Sequence, residues 1–332
     1  MDFLHLSDLH FLADDNENTP LKQRFDFIKA EYPNDILIIS GDIIDNEGNV
    51  RPGTPKPLRT DLDGVIAVLE SNPPPVGSLE PHLSVAKSAL QNAYNTLSSF
   101  SRDKVYLCPG NHDFALAGNI YDEAFADAFD ELLWKPLNQS HVVLPFGPIM
   151  GDPTVTGKSK HPILYPITSP SGYTVSLIAL NTCPMDPDAV ISYLTLAAGL
   201  VGGPQRTALE QGFLPETFIP GLPEMLGLSA FTFLFFHHHP WLHPESVGDI
   251  FMQIAVKMND ADELMNVLRG HADLILFGHR HVEKRYPPNL LQTSQIKYGG
   301  IAAGSSREAT KAWRITTWSP TQVTFAQVPI VP

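Results

Sequence analysis

Short apolar, β-prone runs recur along this chain, and most of them stop at a polar turn, several rich in histidine. The runs are Phe3–Leu6, Asp35–Ser40, Val105–Cys108, Tyr173–Asn181, Ala230–Phe236 and Asp273–Phe277. Several are apolar throughout rather than alternating, as expected of strands covered on both faces. Between them lie helical patterns. Pro20 opens one that runs to about Tyr32, and Pro81 opens another to about Phe100, each proline suited to a first helical turn. Further helices are expected over Tyr121–Leu133, Pro204–Gln211 and Val247–Arg269. This alternation predicts an α/β layered fold. After Gly278 closely spaced strands follow at Gln295–Ala302, Ala312–Trp318 and Gln322–Val328, the last two joined into a hairpin by Ser319-Pro320-Thr321.

The 332 residues are 43% hydrophobic and 17% charged, a balance that supports a sizeable core. The 30 prolines concentrate in Gly48–Arg59, Asn72–Pro81 and Pro136–Pro170, which are expected as ordered surface loops. With no convincing linker, a single domain over residues 1–332 is expected, with insertions near 46–81, 122–170 and 184–203. A formal charge of −14 argues against non-specific nucleic-acid binding as the main role. It leaves room for a nucleotide substrate, because two cations in a cleft reverse the local field. Cys108 and Cys183 form no CxxC pair, which argues against a disulfide framework and suits a reducing compartment. The start, MDFLHLSDLHF, reads as a first strand already carrying chemistry, not as a signal peptide. No run approaches the ~20 apolar residues of a membrane span, so a cytoplasmic protein without membrane contact is expected.

The polar segments, in order, are Asp8-Leu9-His10, Gly41-Asp42, Gly110-Asn111-His112-Asp113, His237-His238-His239-Pro240 and Gly278-His279-Arg280-His281. Each follows an apolar run directly and so emerges at a strand's carboxyl end, where open α/β sheets place their ligands. Residues two apart in an extended segment point the same way, so Asp8 with His10, and His279 with His281, can aim two ligands at one spot. A single Gly-Asp is more often a turn device than a ligand; five such features on five strand ends point to metal. Carboxylate, imidazole and amide oxygen suit Mn, Fe or Zn better than Ca or Mg. So many ligands call for two divalent metal ions, ~3.5–4 Å apart and sharing a carboxylate.

These motifs, in this order, resemble the calcineurin-like metallophosphoesterase pattern DxH, GDxx(D/E/Y), GNH(D/E), HxP and GHxH, and the resemblance covers Asp8 to His281. It implies a four-layer α/β/β/α sandwich of two mixed β-sheets flanked by helices. It implies that Asp8, His10 and His281 hold one metal. Asn111, His279 and a histidine before Pro240 would hold the other, with Asp42 bridging both. The family's spacing of two residues before the proline selects His238; His237 and His239 flank it, and a one-residue slip of register would change the choice. Asp45 stands where the purple acid phosphatase branch carries tyrosine, so a Tyr-ligated iron is not expected, and Asp45 is expected as an acceptor for a ligand histidine.

The implied activity is phosphoester hydrolysis by a metal-bridging hydroxide. His112 would be the acid or donor at the leaving group, and Asp113 would orient its imidazole and favour its protonated form. Elsewhere the bland reading is preferred. His5 is expected in an inter-strand or core role, His82, His141 and His161 in solvent, and His271 as structural, while His243 could line the cleft. Cys108 is expected as a packed thiol, and Arg280 and Arg307 as solvated or ion-paired rather than phosphate-binding. The long insertions favour a small phosphodiester or nucleotide as substrate. The alternatives are a nuclease, which needs a basic groove, and a non-catalytic scaffold, which would have lost ligands.

Overall fold

The computed structural model describes residues 1–45, 80–116, 120–121, 123–138, 162–183, 212, 222–223, 225–227, 229–240, 258, 261–288 and 296–332. The expected helix over Pro204–Gln211, the loop histidines His141, His161 and His243, and most of the three expected insertions lie outside them.

Thirteen strands are described, in chain order β1 Asp2–Leu6, β2 Ile36–Ser40, β3 Val105–Cys108, β4 Ala115–Leu116, β5 Ile120–Tyr121, β6 Ile163–Thr168, β7 Thr174–Ala179, β8 Phe231–Phe235, β9 Leu274–Phe277, β10 Lys284–Tyr286, β11 Gly300–Ala302, β12 Lys311–Ser319 and β13 Gln322–Pro329. They form a five-stranded sheet in the order β13-β12-β1-β2-β3, a six-stranded sheet in the order β10-β11-β9-β8-β7-β6, and a small β4-β5 ribbon. Both large sheets are mixed. β1, β2 and β3 run parallel, as do β7, β8, β9 and β11, while β12, β13, β6 and β10 pair antiparallel.

The parallel strands β2, β3, β8 and β9 are buried along their whole length, which is what their unbroken apolar runs demand. Alternation then decides which side chain enters which layer. Phe231, Phe233 and Phe235 of β8 join a core shared with Phe3, Leu37 and Leu107 of the first sheet. Phe3 and Phe233 meet edge to face at 5.7 Å. Leu234 and Phe236 point the other way, into a second core with Leu264 and Leu268 of the helix Ala261–Leu268. Helices Thr19–Glu31, Glu80–Leu97 and Glu123–Phe129 add Phe25, Leu90 and Phe129 to the first core. The result is two mixed sheets flanked by helices, as expected. Among the described residues no helix is long and apolar enough to cross a membrane.

The stretch expected as a surface loop from Pro136 to Pro170 is corrected in part. Its residues Ile163–Thr168 form β6, paired with β7 from Ile163↔Ala179 to Thr168↔Thr174. Pro166 masks this strand in the sequence, yet β6 is a sheet edge, where a missing N–H is tolerated. The short strand β10 was not anticipated either. His5 takes the expected inter-strand place: its Nε2 lies 2.9 Å from Ser40 Oγ on the neighbouring strand. Burial pushes its pKa down to about 3 against the pull of Asp8, so the ring is neutral.

Candidate metal centre

Because β1, β2 and β3 are parallel, as are β8 and β9, their carboxyl ends open at the same edges of the two sheets. Pairing continues past the strand ends. Asp8 N donates to Gly41 O and His10 N to Asp42 O, each at 3.0 Å, while Gly278 N donates to His237 O at 3.0 Å. The ligand-bearing turns are thus locked to one another by main-chain bonds.

Asp8, His10, Asp42, His279 and His281 have φ of 52°, 51°, 48°, 73° and 52°. They are all the non-glycine residues with positive φ among the described residues. Each left-handed L-residue costs about 1–2 kcal/mol, and such strain persists only where the surroundings over-determine it, as at functional sites. Five expected ligands, and no other described side-chain-bearing residue, carry it.

Two groups of ligand atoms result, each within 4.8 Å of one another: Asp8, His10 and His281, and Asp42, His237 and His279. In the first, His281 Nε2 is 3.3 Å from Asp8 Oδ1 and 3.1 Å from His10 Nε2. In the second, His237 Nε2 is 3.1 Å from Asp42 Oδ2, 3.0 Å from Asn111 Oδ1 and 3.1 Å from His279 Nδ1. One ring nitrogen can donate one proton, so three acceptor-capable atoms around His237 Nε2 suit a shared cation better than a hydrogen bond. The donor set therefore fits divalent metal ions.

His237, rather than the His238 expected from the distance to Pro240, sits in the second group. The reason is strand parity. His237 continues the face of Phe231, Phe233 and Phe235, which looks toward the first sheet and Asp42. Its Nδ1 is 2.9 Å from Ser40 O. A carbonyl only accepts, so Nδ1 carries the proton and Nε2 faces the group with its lone pair in the neutral ring, the usual posture of a ligand histidine. His238 falls on the opposite parity, with Nδ1 2.8 Å from Thr182 Oγ1. His239 Nε2 is 3.1 Å from Tyr286 OH.

Charges in this buried cluster balance one another. Burial opposes the Asp42 charge, but His237 and His112 outweigh it and hold the carboxyl well below its usual range. Burial likewise opposes a charged His237, yet Asp42 and Asp8 raise its pKa to about 9. Hydrogen bonding to Asp8 raises His281, while burial lowers His10 and His279. Asp42 acts electrostatically on Asp8 and His10 as well as on His237, so its carboxylate is felt in both groups.

His112 lies beside the first group, its ring edge-on to His10 at 5.2 Å between centroids, and its backbone N donates to Asp42 Oδ1 at 3.0 Å. Asp113 does not orient it. The Asp113 carboxylate is fully buried and accepts from the backbone N–H of Ile43 (3.0 Å), Ile44 (3.0 Å) and Gly110 (2.8 Å). It ties the turn after β2 to the turn after β3. Burial and the nearby Asp42 push its pKa up to about 7 against those three N–H groups. The carboxylate facing His112 is Asp45, with Oδ1 3.9 Å from His112 Nδ1. Asp45 thus stands at ion-pair distance, beyond hydrogen-bond reach, from a histidine that belongs to neither ligand group.

Two motif glycines are explained by close approach. A Cβ on Gly110 would overlap Asp42 N and Oδ1, and one on Gly278 would overlap Ser7 Oγ. Arg307 is turned toward main-chain carbonyls, with Nη1 2.5 Å from His10 O and Nη2 3.0 Å from Glu17 O. No motif in the sequence marks that role.

A family model described as calcineurin-like phosphoesterase matches residues 1–283, a span holding all five motifs. Among solved structures, the chain is similar to a calcineurin-like phosphoesterase, YfkN, from Bacillus subtilis, at 12% identity and a TM-score of 0.47, covering 99% of this chain and 90% of that one. It is similar to a phosphopantetheinyl hydrolase from Mycobacterium tuberculosis at 14% identity and a TM-score of 0.43, covering 98% and 95%. A 5'-nucleotidase from Candida albicans matches at 11% identity and a TM-score of 0.42, covering 99% of this chain and 51% of that one. No curated protein sequence matches the chain. With the family model spanning both sheets' ligand turns, the chain belongs to the calcineurin-like phosphoesterases and is a metal-dependent phosphoesterase.

Proposed function

We propose that this protein hydrolyses a small phosphodiester or a nucleotide at a dinuclear centre of Mn, Fe or Zn. Asp8, His10 and His281 would hold one ion and Asn111, His237 and His279 the other, with Asp42 available to both groups. The observation that carries this reading is the convergence on His237 Nε2 of Asp42, Asn111 and His279, next to the group of Asp8, His10 and His281. Bound divalent ions supply a water acidic enough to attack at neutral pH and positive charge for the phosphoryl oxygens.

The chain's own residues then do three things. Asp42 keeps its negative charge in a buried site, which sets the two groups side by side. Ser40 O holds the proton of His237 on Nδ1 and so presents Nε2 as a donor atom. His112, with its side chain one-fifth exposed, lies beside the centre with the Asp45 carboxylate 3.9 Å from its Nδ1, placed to act as acid or donor to a leaving oxygen. The acidic balance of −14 favours a small substrate over a nucleic acid. Two free, buried thiols, Cys108 and Cys183, support a reducing compartment and hence a cytoplasmic location.

The test is metal-free protein reconstituted with Mn, Fe, Zn or Co and assayed on phosphomonoesters, simple and cyclic diesters, and single-stranded DNA. Metal-dependent hydrolysis of a small ester is expected, with His112→Ala lowering turnover by ~10²–10⁴ at unchanged metal content. No metal-dependent hydrolysis of any substrate would overturn the reading. Preference for DNA would replace it with a nuclease.

A further inference from the structure

The strained turn Ser7–His10 has partners that lie outside the five motifs and outside the span matched by the family model. They are three consecutive residues, Ser305, Ser306 and Arg307, which follow β11 of the second sheet. Ser306 N donates to Ser7 O at 2.9 Å, and Ser306 Oγ accepts from Ser7 N at 3.1 Å. Ser305 Oγ donates to Asp8 O at 3.0 Å. Arg307 Nη1 donates to His10 O at 2.5 Å, and Nη2 to Glu17 O at 3.0 Å. Ser305 and Ser306 are buried, and burial disfavours the charge of the half-buried Arg307.

These bonds fall on two left-handed residues. The N–H groups of Asp8 and His10 are fixed by Gly41 and Asp42, and their carbonyls by Ser305 and Arg307. With the N–H and C=O of each residue held, the turn cannot relax to extended or right-handed backbone, although either would relieve its strain. Among the described residues the second group has no such clamp: Asp42, His237 and His279 are tied by main-chain bonds within the motifs and by Ser40 and Asp8.

We infer that Ser305-Ser306-Arg307 is a positioning clamp that sets the metal affinity of the group Asp8, His10 and His281 and leaves that of the other group alone. Arg307 carries most of the effect, because among the described residues it alone donates to His10 O and crosses from there to Glu17. Without it, the first ion must organise the turn on binding and loses affinity accordingly. The two sites thus come to differ in affinity through residues that touch neither ion.

This inference rests on the two-metal reading, and calorimetric titration of metal-free protein with Mn²⁺ or Zn²⁺ separates the two. Wild-type chain is expected to bind two ions. If it binds none, the proposed function fails. If it binds two, Arg307→Met should weaken one ion by tenfold or more and leave the other within threefold. Ser305→Ala should do so to a smaller degree, and Arg307→Lys, which keeps one bond to His10 O, should fall between. Melting of the metal-free variants checks that folding is retained, and Ser305→Ala carries the test if Arg307→Met does not fold. Two ions bound with wild-type affinities, or both weakened equally in a folded variant, would overturn the clamp.

Discussion

Asp42 and His237 face each other across the gap between the two sheets, Oδ2 to Nε2 at 3.1 Å, while the far side of the His237 ring rests on Ser40 O at 2.9 Å. One carboxylate from the end of β2 and one imidazole from the end of β8 join the sheets at the point where the second ligand group forms. Neither is accessible to solvent to any useful degree, so the pair is a proton site, a metal site, or each in turn.

That placement separates His237 from its neighbour. His237→Ala should lower the metal content of the loaded protein by about one ion per chain, while His238→Ala, on the opposite strand face, should keep both. Elemental analysis of the two purified variants decides it. Loss of an ion from His238→Ala alone would restore the choice based on spacing from Pro240.

In the metal-free protein the same pair gives a pH dependence of stability. His237 titrates near 6.5 when unfolded and at about 9 when folded, so its contribution is complete below pH 6.5 and is lost as pH rises through about 9. Asp113, raised from 3.8 to about 7, acts with the same sign, losing stability as pH rises through 7. Melting temperature should therefore fall from pH 6.5 to 9. Asp42→Asn removes a carboxylate that raises both groups and should flatten the slope. A flat or rising wild-type profile would contradict the pairing. Metal binding must displace the same proton, so affinity should increase over this range.

Asp113 and Asp45 should behave as different kinds of residue. Asp113→Ala leaves three buried backbone N–H groups without their acceptor, at ~1–3 kcal/mol each, so a stability loss of about 3 kcal/mol or more is expected in denaturant melts. Asp45→Asn should barely move the melt and should instead shift the pH–rate profile, by changing the field on His112. If Asp113→Ala melts like wild type and Asp45→Asn leaves the profile unmoved, the assignment of the two acids is reversed.

Gly110→Ala places a methyl against the Asp42 backbone and carboxylate. Overpacking of this kind costs ~1–3 kcal/mol, and here the group displaced is the central carboxylate. Metal content should drop further than stability does. Calorimetry beside a thermal melt tests this, and intact metal binding would show that the turn has more slack than its contacts indicate.

Much of this centre is readable from residue order alone. Asp8, His10, Asp42, Asn111, His279 and His281 stand at the ends of apolar runs, and a run buried on both faces has few ways to exist except as an inner strand of a layered sheet. Most strands were legible for the same reason, apart from β6, where Pro166 hides an edge strand, and the short β4, β5 and β10, of two or three residues each. Side-chain assignments that depend on contacts across the fold were not legible. Spacing from a proline names His238, but the face of β8 that meets the first sheet is set by packing of Phe231, Phe233 and Phe235, and that puts His237 at the site. Adjacency suggests Asp113 for His112, but three N–H groups from two turns claim Asp113, and the chain path brings Asp45 to His112 instead. Motif residues are local facts, determined by what must follow a buried strand. Which acid meets which base, and which serine and arginine hold the strained turn, depends on residues from about 70 to about 300 positions apart, and only the tertiary structure decides them.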